Sequence, residues 1–94
     1  MIVVWDDTVS LPDAEVDKWG ETVVKSGQKH VRIGTGTMLN AIRLHVIRGN
    51  LSHEDVEFQF GEDTIYVNKE GRLDHWPDGF ADIYDRQLVE ICRL

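Results

Sequence analysis

Apolar and polar positions change their spacing several times along these 94 residues, and each change marks an element. Ile2-Val3-Val4-Trp5 is an unbroken apolar, β-prone run, the pattern of a strand covered on both faces of a parallel sheet. Asp6-Asp7-Thr8 ends it. Ser10-Leu11-Pro12-Asp13 reads as a helix start, with Ser10 as the capping residue and Pro12 in the first turn. Val16, Trp19 and Val23 recur at helical spacing, Glu21 and Lys25 pair four apart on the outside, and Gly27 supplies a stop. Residues 31–33 form a second strand, so residues 2–33 are a βαβ candidate with parallel strands.

After Gly34-Thr35-Gly36-Thr37, residues 38–48 predict a helix with an apolar face of Leu39, Ile42 and Val46, ended by Gly49-Asn50. The rhythm then switches to two. Val56, Phe58 and Phe60 alternate with Glu57 and Gln59, Gly61-Glu62-Asp63 turns the chain, and Ile65 and Val67 follow. That is a β-hairpin with one face on the core. Asn68-Lys69-Glu70-Gly71 is a turn, Trp76-Pro77-Asp78-Gly79-Phe80 a tight aromatic corner, and Tyr84, Leu88 and Ile91 mark a C-terminal helix. No linker interrupts the series. The expected fold class is α/β: a small parallel βαβ unit, a helix, a β-hairpin and a final helix, in one domain over residues 1–94.

Composition narrows the function classes. Hydrophobic residues make up 41%, enough for one small core. The net charge is −7, from 17 acidic and 10 basic residues. That argues against direct nucleic-acid binding, which needs a basic footprint. An acidic nucleic-acid mimic stays open, although Arg43, Arg48, Lys69 and Arg72 are interspersed among the acids. The apolar start stops at Asp6 without a basic leader, and no run is long enough to span a bilayer. A soluble, cytoplasmic protein with no membrane partner is expected. Cys92 is the single cysteine, so neither an internal disulfide nor a thiolate metal site is available.

Two short stretches carry candidate chemistry. Gly34-Thr35-Gly36-Thr37 between a strand and a helix is a form that can hold an anion on free N–H groups. It lacks the third glycine of a dinucleotide fingerprint and the Gly-Lys-Ser/Thr ending of a P-loop. The preferred reading is that these residues turn the chain and cap the helix. Asp6 and Asp7 follow an apolar strand at the place where parallel sheets bind ligands, and there a carboxylate can hold a divalent cation. Two acids also simply end a strand. His30, His45, His53 and His75 show no metal-ligand spacing, and no metal site or cofactor is expected.

Taken in order, these elements resemble the C-terminal part of the nucleotide-binding domain of AAA/ABC-type ATPases related to the overcoming-lysogenization-defect and Septu defence families. Ile2-Val3-Val4-Trp5-Asp6-Asp7 looks like the Walker B strand and its acidic pair. Gly34-Thr35-Gly36-Thr37 lies where that family carries a Glu-Thr-His-Ser switch element. The segment from Arg48 to Val56, Gly71-Arg72-Leu73 and Trp76-Pro77-Asp78-Gly79-Phe80 are similar to its tail. The resemblance covers residues 2 to about 90 and implies a partial ATPase lobe.

The departures decide what that resemblance implies. P-loop and signature sequences are absent from the chain. Asp7 replaces the catalytic Glu and is one methylene shorter, a misplacement of about 1 Å that can cost on the order of 100-fold. Gly36 replaces the switch His. Only Asp6, the metal-binding carboxylate, is unchanged. The expectation is a non-enzymatic, pseudo-ATPase interaction protein whose partner is an ATPase of this type or its associated effector, in keeping with a phage-borne anti-defence role. Self-association is a second way to satisfy an open sheet edge. The candidate interaction residues are Trp76, Pro77, Gly79 and Phe80, beside the vestigial Asp6 and Asp7 and the Gly34, Thr35, Gly36 and Thr37 turn. The alternative is a small subunit of a split ATPase that supplies Asp6 in trans.

Overall fold

The computed structural model describes residues 1–77. The final helix expected around Tyr84, Leu88 and Ile91, together with Gly79, Phe80 and Cys92, lies outside the described residues. Within them the order is β1 (Ile2–Trp5), α1 (Asp13–Ser26), β2 (His30–Ile33), α2 (Gly36–Ile47), a 3₁₀ turn (His53–Asp55), β3 (Glu57–Phe60) and β4 (Asp63–Tyr66). The fold class is α/β. The four strands form one mixed sheet in the order β2-β1-β3-β4. β1 runs parallel to both β2 and β3, and β4 returns antiparallel on β3. No helix among the described residues is long and apolar enough to cross a membrane.

Register explains the core. Val3 lies beside Val31 and Phe58, and Phe58 beside Ile65. All four are buried, and with Ile33 and Val67 they line one sheet face. Val16 and Val23 of α1 and Met38, Leu39, Ile42 and Val46 of α2 complete a single cluster against it. The opposite face carries the rows His30, Ile2, Glu57, Tyr66 and Arg32, Val4, Gln59, Thr64. None of these eight residues is buried, and Tyr66 is 58% exposed. The expectation of a β1 covered on both faces is therefore corrected. An apolar run tells that both faces tolerate apolar side chains, and only Val3 of that run is buried.

Three local expectations also change. Helix α1 starts at Asp13 with Pro12 as N-cap and no side-chain cap, so Ser10 does not cap it. The Glu15 N–H donates to the Pro12 carbonyl, and the acids Asp13 and Glu15 face the positive end of the helix dipole. Glu21 and Lys25, spaced for a pair, make no ion pair with any described residue. Gly27 does end α1, at φ 63° in the left-handed region that glycine adopts at little cost. Helix α2 begins two residues before Met38 and is buried on more than one face, with Arg43 and His45 inside as well as the apolar stripe. Arg43, interspersed among the acids in the sequence, is thus a core residue.

Candidate functional site

The C-terminal ends of β1 and β2 bring the two sequence candidates together. The Asp6 N–H donates to the Ile33 carbonyl at 2.8 Å, and the Val9 N–H donates back to the Asp6 carbonyl at 3.0 Å. The loop after β1 therefore folds over the end of β2. Gly34 sits under it. A Cβ built there would lie 1.9 Å from the Val9 carbonyl oxygen and 2.4 Å from that of Asp6. Glycine is required by this close backbone approach.

The Asp6, Asp7, Thr8, Thr35 and Thr37 side chains of the two turns have partners within the chain. Asp6 Oδ1 accepts from the Thr8 N–H at 3.0 Å and the Thr8 hydroxyl at 2.6 Å. Those bonds, the hydroxyl first, hold the Asp6 carboxyl below its ordinary value of 3.8, and Arg32 adds a smaller charge effect from 3.8 Å. Asp7 Oδ1 accepts from Trp5 Nε1 at 2.5 Å, and Trp5 itself meets Phe60 edge-on at 6.5 Å. Thr35 is the N-cap of α2 and accepts from the Met38 N–H at 3.2 Å. The Thr37 hydroxyl donates to Asp13 Oδ1 at 3.3 Å. An anion at the N-terminus of α2 would meet this carboxylate, supplied by the first turn of α1.

Asp6 and Asp7 serve as turn-forming acceptors, and no group of three or more His, Cys, Asp or Glu among the described residues is placed to hold a metal ion. The cradle that a phosphate needs at Gly34-Thr35-Gly36-Thr37 is a capped helix start beside a carboxylate.

Trp76, the best-placed member of the aromatic corner, is half-buried and packs on the core. The Arg43 guanidinium stacks on its ring at 5.5 Å from the centroid. Arg43 is buried, donates from Nε to the Gly71 carbonyl at 2.7 Å and from Nη1 to Asn40 Oδ1 at 3.0 Å, and so pins the segment after β4 onto α2. Pro77 is half-buried beside it. Sequence reasoning missed Arg43. The available signal was its place one residue after Ile42, inside the arc of apolar positions on α2.

The two sheet edges differ. Along β4, the Asp74 N–H donates to the Tyr66 carbonyl at 3.0 Å, Asp74 Oδ1 accepts from the Tyr66 N–H at 3.2 Å, and Val67 bridges Leu73. His75 closes the clasp, with Nδ1 at 2.8 Å from Asp74 Oδ1 and Nε2 at 3.1 Å from Asp63 Oδ1. On the far side, the Ile2 N–H reaches the Lys29 carbonyl and the Asp6 N–H that of Ile33. Residues 29, 31 and 33 thus face β1, and the alternation of a strand turns the N–H and C=O of His30 and Arg32 outward. Both residues are exposed, and the outer edge of β2 has no strand beside it among the described residues.

Comparison of the chain with family models, curated proteins and solved structures finds no match to any of them. The resemblance to ATPases rests on the sequence elements alone.

Proposed function

We propose that the chain is a non-catalytic interaction protein that offers the outer edge of β2 to an extended segment of a protein partner. The outer edge of β2, which has no strand beside it among the described residues, is the observation that carries this reading. A strand edge is a ready template for main-chain hydrogen bonds, and proteins usually cover or blunt it. Here β4 is clasped by residues 73–75 while β2 presents His30 and Arg32. Added strands gain affinity from those bonds and specificity from alternate side chains. The adjoining sheet face, with Ile2 and Val4 between flanking polar residues, extends the contact. A non-enzymatic role is supported by Asp6 and Asp7 being spent on Thr8 and Trp5. The finer proposal rests on the sequence resemblance: the partner is a P-loop ATPase of the defence type, and the chain modulates or inhibits it, as a phage-borne protein would.

The test is capture of partners from the host lysate with ATP–Mg²⁺ present or absent, using the native chain and Arg32→Pro. Proline at 32 removes an outward N–H and leaves the bonds to β1 in place. A P-loop ATPase recovered by the native chain and lost with the folded variant supports the proposal. Equal capture by the variant refutes edge pairing. Loss of the complex's turnover on Asp6→Asn would instead make the chain a subunit of a split enzyme.

A further inference from the structure

We infer that the groove between α1 and α2 binds a small zwitterion of the amino-acid class. The groove has a volume of about 410 Å³ and adjoins a pocket of about 120 Å³; Glu21, His45 and Arg48 line both. Asp17, Ala41 and Leu44 complete the pocket, and Val24, Lys25 and Asn50 complete the groove.

His45 is the informative residue. It is 7% exposed, yet only one of its ring nitrogens has a partner among the described residues. Asn50 is anchored by its own N–H on the His45 carbonyl at 2.9 Å, and its side-chain amide donates to His45 Nδ1 at 3.1 Å. With Nδ1 accepting, the ring proton of the neutral imidazole sits on Nε2. Every fully sealed side-chain nitrogen or oxygen among the described residues has a partner, so Nε2, which has none, opens to the cavity. It is a solvent-reached donor with no protein acceptor among the described residues.

Gly20 of α1 lies beside that donor. Glycine inside a helix costs stability relative to alanine. Packing does not demand it here, because a Cβ at position 20 would sit in ordinary contact, 3.5 Å from Ala41 Cβ and 3.5 Å from His45 Nε2. What the missing methyl group leaves is space directly against Nε2.

The charges around that space define the ligand. Arg48 and Lys25 are positive, Asp17 and Glu21 negative, and none of the four makes an ion pair with a described residue. A bare anion would meet the two carboxylates, and a bare cation would meet Arg48 and the Nε2–H. A molecule with a carboxylate toward His45 and Arg48 and an ammonium toward Asp17 and Glu21 satisfies both sets.

The experiment is an NMR titration of the ¹⁵N-labelled chain with free amino acids, and with acetate and methylammonium as half-ligands. At least one amino acid is expected to saturate at about millimolar concentration or below, shifting Gly20, Arg48 and the His45 ring nitrogens. The half-ligands should bind at least about tenfold more weakly. Gly20→Ala, which keeps the fold, and Arg48→Gln should each weaken binding about tenfold or more. Three results would overturn the inference: no shift with any amino acid up to about 10 mM, equal binding of a half-ligand, or undiminished binding to Gly20→Ala.

Discussion

Alanine at position 34 puts one methyl group where the loop after β1 already lies. The built Cβ is 1.9 Å from the Val9 carbonyl oxygen and 2.4 Å from that of Asp6, both backbone atoms that no rotamer change can move. Restoring a normal carbon–oxygen contact requires the loop to shift by more than about 1 Å, and packed interiors do not yield that far without losing contacts. The bonds at risk are Asp6 N–H to Ile33 O at 2.8 Å, Val9 N–H to Asp6 O at 3.0 Å, and the two from Thr8 to Asp6 Oδ1. At about 1 kcal/mol net for each of two to four bonds, the loss is about 2–4 kcal/mol. For a chain of this size that lowers Tm by roughly 10–25 °C. Thermal and urea unfolding followed by circular dichroism measure it. Gly20→Ala is the internal control, because the same methyl group meets only ordinary contacts there and should raise stability by about 0.5–1 kcal/mol. Destabilisation below about 0.5 kcal/mol at position 34 would refute the close approach. It would also reopen the Gly34-Thr35-Gly36-Thr37 turn as something other than a steric joint.

Two further outcomes are expected. Arg43→Met keeps most of the buried volume but removes the bonds to Gly71 and Asn40 and the stacking on Trp76; it should cost about 2–4 kcal/mol in urea unfolding, and a loss below about 0.5 kcal/mol would show that the pin carries no weight. The bond to Asp63, reinforced by Asp74, raises His75 above its ordinary 6.5, so its contribution is complete below that value and disappears as pH rises through the raised folded value. The melting difference between the native chain and His75→Ala should therefore be largest below the ordinary value of 6.5 and narrow as pH rises; a constant difference would dismiss the clasp as a titrating element.

Much of this architecture is legible in the order of residues. The period-two run from Val56 to Val67 gave the hairpin, and the helical spacing of Val16, Trp19 and Val23 gave α1. Asn68 closes its turn as its residue type suggests, its carbonyl and side chain accepting from Gly71, Glu70 and Arg72. These signals are local: a turn, a cap or an amphipathic stripe is decided by neighbours a few residues away. The candidate site was legible only as an inventory. Asp6, Asp7, Gly34 and Thr37 were visible as residues that can serve a ligand, but their partners are the loop itself, Trp5, Val9 and Asp13.

By itself, then, the sequence determined the main strands and helices of the described residues, their order, the parallel βαβ start and the antiparallel hairpin, because backbone propensity and hydrophobic period act within one segment. Tertiary structure alone decided that β1 is buried on one face. It also put Arg43 and His45 inside, closed the β4 edge with His75 and left the β2 edge without a neighbouring strand among the described residues. Each of those outcomes depends on which distant segment arrives beside a residue: position 71 beside 43, 20 beside 45, 9 beside 34. Arg43 goes inside because such a neighbour, Gly71, supplies a hydrogen bond, and no local pattern records where that neighbour comes from.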